Sequence, residues 1–144
     1  MRVTMLLADA AQVVENKLYI LGGGWSMTGP DPVPSAIALK IEVPWDQTND
    51  RHRWEMALID ADSQPVFMQG PDGEQALVIN GEFEVGRPAG VAAGTPIDLA
   101  LAINLGPIPL PPGRRFVWEL TIDGQSHTDW QLGFATRLGP AAAG

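Results

Sequence analysis

Residues 97–122 read Ile-Asp-Leu-Ala-Leu-Ala-Ile-Asn-Leu-Gly-Pro-Ile-Pro-Leu-Pro-Pro-Gly-Arg-Arg-Phe-Val-Trp-Glu-Leu-Thr-Ile, and their alternation decides the fold class. Ile97, Leu99, Leu101, Ile103 and Leu105 alternate with Asp98, Ala100, Ala102 and Asn104. Phe116, Trp118, Leu120 and Ile122 alternate with Val117, Glu119, Thr121 and Asp123. Successive side chains of a strand point to opposite faces, so this pattern predicts two strands, each with one apolar face. A Gly/Pro-rich connection joins them, and Asp123-Gly124 supplies turn chemistry at the far end. The two strands are expected to form the central antiparallel pair of a half-buried sheet, with Trp118 in its core.

Working outward, the same reading applies to most of the chain. Residues 3–14 are apolar and read as one buried strand, followed by a hairpin turn at Glu15-Asn16-Lys17 and a second apolar run from Leu18 to Leu21. Gly22-Gly23-Gly24 predicts a bulge or a close backbone approach within that strand. Ile37, Leu39, Ile41 and Val43 alternate with Ala38, Lys40 and Glu42 to give a clear strand. Residues 45–51 read as a polar loop, and Trp54, Met56 and Leu58 mark the next strand. A short strand at 66–69 precedes a turn at 70–74. Asn80-Gly81 is a favoured hairpin pair. It also fits one strand across residues 76–85 with a bulge at the glycine, and the single strand is expected because two half-strands would be short. Trp130, Leu132 and Phe134 give the last strand.

Sixteen glycines and thirteen prolines suit a chain of many turns and few helices. The expected fold is all-β, an antiparallel β-sandwich of about eight strands, Ig-like or C2-like. One domain is expected over residues 1–138, with a small-residue tail at 139–144.

Composition narrows the function. A net charge of −8 disfavours nucleic acid and anionic membranes as partners, because both are polyanions. Zero cysteines exclude disulfides, thiolate metal sites and a thiol nucleophile. Met1-Arg2 and the short apolar run after it are interrupted by Asp9, so they read as a first strand rather than a leader. No apolar run approaches the roughly 20 residues of a membrane-spanning helix. A cytoplasmic location is expected.

One resemblance bears on this chain. Ala8, Glu15-Asn16-Lys17-Leu18-Tyr19-Ile20-Leu21-Gly22-Gly23-Gly24, the run from Ala57 to Pro65, and Pro112-Gly113-Arg114-Arg115-Phe116 through Asp123-Gly124 carry it. Together they resemble an uncharacterised bacterial β-sandwich family of unknown function, DUF6941. The resemblance covers most of residues 3–124 and consists of turn and strand motifs. This chain has Ala61-Asp62-Ser63 where that family usually has an Asp-Gly turn. The resemblance implies a β-sandwich and supplies no catalytic residues.

Gly22-Gly23-Gly24 lacks the helix and lysine of a phosphate loop. Ser126 and His127 point to opposite faces of a strand, so that histidine cannot activate that serine. His127 and Asp129 share a face and can pair. Asp60, Asp62 and Asp123 are the best available calcium triad, although Asx-turn roles explain them more simply. His52, between Arg51 and Arg53, reads as a surface residue. Of five tryptophans, Trp54, Trp118 and Trp130 fall on apolar faces, whereas Trp25 and Trp45 sit at strand ends. An exposed tryptophan can stack a sugar or anchor a partner.

The expectation is a non-catalytic module for protein–protein contact or assembly, including pairing with a second copy, without cofactor or metal. A sandwich has edge strands that must be paired, covered or blunted. The alternative is a small-molecule or carbohydrate-binding module using Trp25 or Trp45, with His127 and Asp129 as further binding candidates. A hydrolase-like enzyme is a remote third.

Overall fold

Strands make up the regular structure of the described chain, apart from one 3-10 turn at Trp45–Gln47. Residues 1–139 are described by the structure, a computed structural model, and the expected tail at 139–144 lies outside them except for Gly139. In chain order the strands are β1 (Arg2–Ala8), β2 (Ala10–Val14), β3 (Lys17–Leu21), β4 (Met27–Thr28), β5 (Ser35–Val43), β6 (His52–Asp60), β7 (Phe67–Gly70), β8 (Gly73–Ala76), β9 (Val78–Phe83), β10 (Ile97–Leu105), β11 (Arg115–Ile122) and β12 (Gln125–Thr136). One sheet has the order β1-β5-β10 and a larger one β4-β12-β11-β6-β9; β2-β3 and β7-β8 are separate hairpins. The chain is all-β, as expected.

The two larger sheets share one core. Ile37, Leu39, Ile41 and Val43 of β5 meet Trp54, Met56 and Leu58 of β6 and Phe116, Trp118, Leu120 and Ile122 of β11. Trp118 is 2% exposed, and along β11 every second residue is buried, so the face assignment from the alternation holds. Apolar area removed from water at roughly 25 cal/mol per Å² makes these facing rows the main source of stability.

The expected central pair does not exist. β10 pairs with β5 and β11 pairs with β6 and β12, so residues 106–114 cross from one sheet to the other. Thr136 ties this crossing to β12: its hydroxyl donates to Pro111 O at 2.7 Å and accepts from Arg114 N–H at 3.1 Å. Alternation specifies which face a strand buries, not which strand lies beside it.

The expected single strand at 3–14 is two. Asp9 breaks it, and its N–H donates to Leu21 O at 3.0 Å, turning the chain from β1 into the β2–β3 hairpin. Glu15 and Asn16 form the hairpin's two-residue turn, both at positive φ (51° and 56°). The hairpin folds over the outer face of the smaller sheet. There Ala8, Ala36, Ala38 and Ala102 are small enough to let Ala11, Leu18 and Ile20 pack close. β5 is therefore covered on both faces, which is why its residues alternate large apolar with alanine at that end.

Gly22–Gly24 lie beyond the end of β3 rather than within a strand. A close approach is present nonetheless, since a side chain at Gly23 would meet Ile20 Cγ2 at 2.6 Å. The expected turn at 70–74 narrows to Pro71-Asp72, between paired Gly70 and Gly73. The polar loop at 45–51 contains the 3-10 turn. The expected single strand runs through Asn80-Gly81, but without the expected bulge: β9 pairs with β6 there with no register shift, and it spans Val78–Phe83 rather than 76–85.

Candidate functional site

Each exposed sheet edge presents unpaired backbone groups, so the fate of these edges is a site question as well as a fold question. The outer edge of β10 is capped by Asn16, whose Nδ2 donates to Asp98 O at 2.8 Å while its Oδ1 accepts from Ala100 N–H at 2.9 Å. β1 is met by Gly24, whose N–H donates to Leu7 O at 2.7 Å. β4, at one end of the larger sheet, is only two residues long.

The other end of that sheet, β9, carries no such bond among the described residues. Arg53 O accepts from Asp123 N–H, so Arg53's backbone faces β11. Alternation then turns His52, Trp54 and Met56 toward β9, where their partners are Phe83, Gly81 and Ile79. The N–H and C=O groups of Val78, Asn80 and Glu82 consequently point away from the sheet. The described residues supply them with no partner. β9 has no proline or lysine and no bulge. Its exposed face carries Val78, Asn80 and Glu82. On the inner face Gly81 is required by its neighbour: a side chain there would meet the Trp54 indole at 2.8 Å.

The residues singled out from sequence do not converge. Trp45 is covered by the Arg87 guanidinium, 4.0 Å from the ring centroid. Arg87 also donates to Thr48 Oγ1 at 2.7 Å and to Trp45 O at 2.8 Å, so it clamps the loop around Trp45. Trp25 packs edge-on against Phe134, with centroids 6.1 Å apart. It lines a small cavity of about 40 Å³ with Leu7, Trp118 and Phe134, and its buried indole N–H has no partner among the described residues.

His127 and Asp129 are exposed and lie on a wide bulge of β12. Between the pairs Glu119–Gln131 and Thr121–Ser126, β11 contributes only Leu120, whereas β12 contributes His127, Thr128, Asp129 and Trp130. The His127 ring lies on Trp130, accepts from Asp129 N–H at 3.1 Å, and stands 3.6 Å from the Asp129 carboxylate. A hollow beside β1 opens there.

Asp60 and Asp123 flank opposite ends of the β11 ladder, about 20 Å apart at strand pitch, so they share no site. Asp60 Oδ1 accepts from Asp62 N–H and Gln64 N–H, both at 2.9 Å, closing an Asx-type turn. Among the described residues no cluster of three or more His, Asp or Glu side chains is arranged to hold a metal ion.

His52 is not a surface residue. It is buried, stacked on Phe83, with Nδ1 2.7 Å from Asp123 Oδ2 and Nε2 2.8 Å from Gln47 O. Both ring nitrogens face acceptors, and only the imidazolium donates from both. Burial opposes that charge. The Gln47 carbonyl and the Asp123 carboxylate outweigh it, with help from Asp50, and raise the His52 pKa. His52 in turn, together with Arg53 N–H, lowers that of Asp123. The sequence signal was present: His52 is in phase with Trp54, Met56 and Leu58.

A family model described as a family of unknown function (DUF6941) matches residues 3–135. The chain belongs to that family. No match to a curated protein or to a solved structure was found.

Proposed function

We propose that this member of a family of unknown function is a non-catalytic protein–protein interaction or assembly module that works by strand pairing at β9. The observation that carries the reading is the contrast among edges. Asn16 bonds two outward groups of β10 and Gly24 one of β1, while among the described residues no outward group of Val78, Asn80 or Glu82 has a partner. Adding a strand to such an edge supplies backbone hydrogen bonds for affinity and side-chain contacts for selectivity. We read β1-β5-β10 and β4-β12-β11-β6-β9 as the two leaves of an eight-stranded Ig-like or C2-like sandwich. The acidic, cysteine-free chain fits a bacterial cytoplasmic setting.

The test compares wild type with Asn80→Pro. Proline at 80 removes an outward N–H and leaves the β6 ladder intact. Wild type is expected to be retained by a protein partner or a second copy in native lysate and by light scattering, and Asn80→Pro to lose it. A strictly monomeric wild type with no retained partner contradicts the reading.

A small-molecule or carbohydrate site at Trp25 is the second reading, favoured by its unpartnered indole N–H. A ligand that binds only the native state raises the melting temperature, so a thermal-shift screen of wild type against Trp25→Phe decides it. The absence of any shift removes this reading.

A further inference from the structure

We infer that the occupant of the β9 edge is the β9 edge of a second copy, paired antiparallel about a two-fold axis at Asn80. This rests on the strand-pairing reading and names the partner.

Only Val78, Asn80 and Glu82 present outward backbone groups, so a regular antiparallel partner must bond to these. A two-fold axis at Asn80 sets Asn80 against the partner's Asn80, Val78 against the partner's Glu82, and Glu82 against the partner's Val78. All three outward residues then bond reciprocally. An axis at Gly81 would pair only Asn80 and Glu82 within the strand and leave Val78 to reach beyond its end.

Side chains agree with this register. Along the exposed face Glu82 already lies beside Arg53 on β6, and it gains Val78 of the partner subunit, so no like charges stand opposite each other. The two Asn80 amides, each donor and acceptor, meet at the axis. On the inner face Ile79 comes opposite the partner's Gly81, over which the Trp54 indole lies. Ile79 is half-buried in the single chain and gains cover there. A closed two-fold pairing also ends growth at β9, because it occupies the β9 edge of both copies.

Position 80 is the only β9 position that faces itself across this axis, and that makes the test specific. Light scattering of wild type over a concentration series is expected to rise toward twice the chain mass. Asn80→Lys and Asn80→Glu are each expected to stay monomeric, because each places like charges in direct opposition. An equimolar mixture of the two is expected to restore the dimer. Asn80→Cys in this cysteine-free chain is expected to form an intermolecular disulfide, since hydrogen-bonded antiparallel pairs stand about 5.5 Å apart at Cα, within disulfide range. Circular dichroism confirms that each variant folds.

A wild type that stays monomeric at every concentration overturns the inference, as does a dimer that either single charge variant leaves intact. Dimerisation strengthened by Asn80→Lys alone also overturns it, because that places lysine opposite Glu82 and reports the Gly81 axis. A monomer whose β9 edge is occupied by a different protein overturns self-pairing and leaves the interaction reading standing. An edge that binds nothing overturns both.

Discussion

Asn104 pairs with Ala11 much as one peptide group pairs with another. Its Nδ2 donates to Ala11 O at 2.8 Å, and its Oδ1 accepts from Ala11 N–H at 3.3 Å. With Asn16 on β10, two side-chain amides fasten the β2–β3 hairpin to the smaller sheet. Asn104→Ala removes both bonds and leaves the Ala11 peptide group poorly paired. A loss of about 1–3 kcal/mol is expected in denaturant melts. Asn104→Asp keeps the acceptor and loses the donor, so it should retain part of that stability.

Gly81 is held to glycine by Trp54. Any side chain at 81 meets the indole at under 3.0 Å, so Trp54 must move. Gly81→Val is expected to cost about 1–3 kcal/mol through overpacking, despite the better strand propensity of valine. Combining it with Trp54→Phe should recover part of the loss, which a double-mutant cycle measures.

The His52–Asp123 pair makes stability depend on pH at both ends. The folded pKa of His52 is raised, so its contribution is complete below the unfolded value of about 6.5 and is lost as pH rises through the folded value. The folded pKa of Asp123 is lowered, so its contribution is present above the unfolded value of about 3.9 and is lost as pH falls through the folded value. Melting temperature should therefore be highest between about pH 4 and 6.5 in this respect. His52→Gln should flatten the alkaline limb. An NMR titration in which His52 loses its proton below the ordinary histidine value would contradict this assignment.

Trp118 sits mid-strand with Phe116 and Leu120 on its own face. Trp118→Ala is expected to lose roughly 3–5 kcal/mol, and Glu119→Ala far less, because Glu119 faces the other way. Equal losses from both would contradict the face assignment.

Faces were legible in the sequence, and neighbours were not. The period-two pattern of residues 116–122 locates the core face of β11 correctly, but nothing in it chooses between β10 and β6 as its neighbour. That choice rests on contacts distant in sequence. Asn80-Gly81 carries a strong turn signal, yet Gly81 serves the bulk of Trp54, a requirement set by another strand. For His52 the charged neighbours Arg51 and Arg53 suggest solvent, whereas its phase with Trp54 points inward, and the inward phase wins. Asp9 interrupts an apolar run and marks a chain reversal, which single-strand periodicity does not register. The open edge of β9 was not legible at all, since an edge exists only once strand order is known.

Amide hydrogen exchange along β9, followed at increasing protein concentration, tests the central claim most directly. In dilute solution the outward amides of Val78, Asn80 and Glu82 should exchange fast, while those of Ile79, Gly81 and Phe83, bonded to β6, should be protected. As concentration rises, the outward set should become protected in step with the growth in scattered mass. Outward amides that are already protected in the monomer, or that exchange fast at every concentration and in the presence of every retained partner, would contradict it.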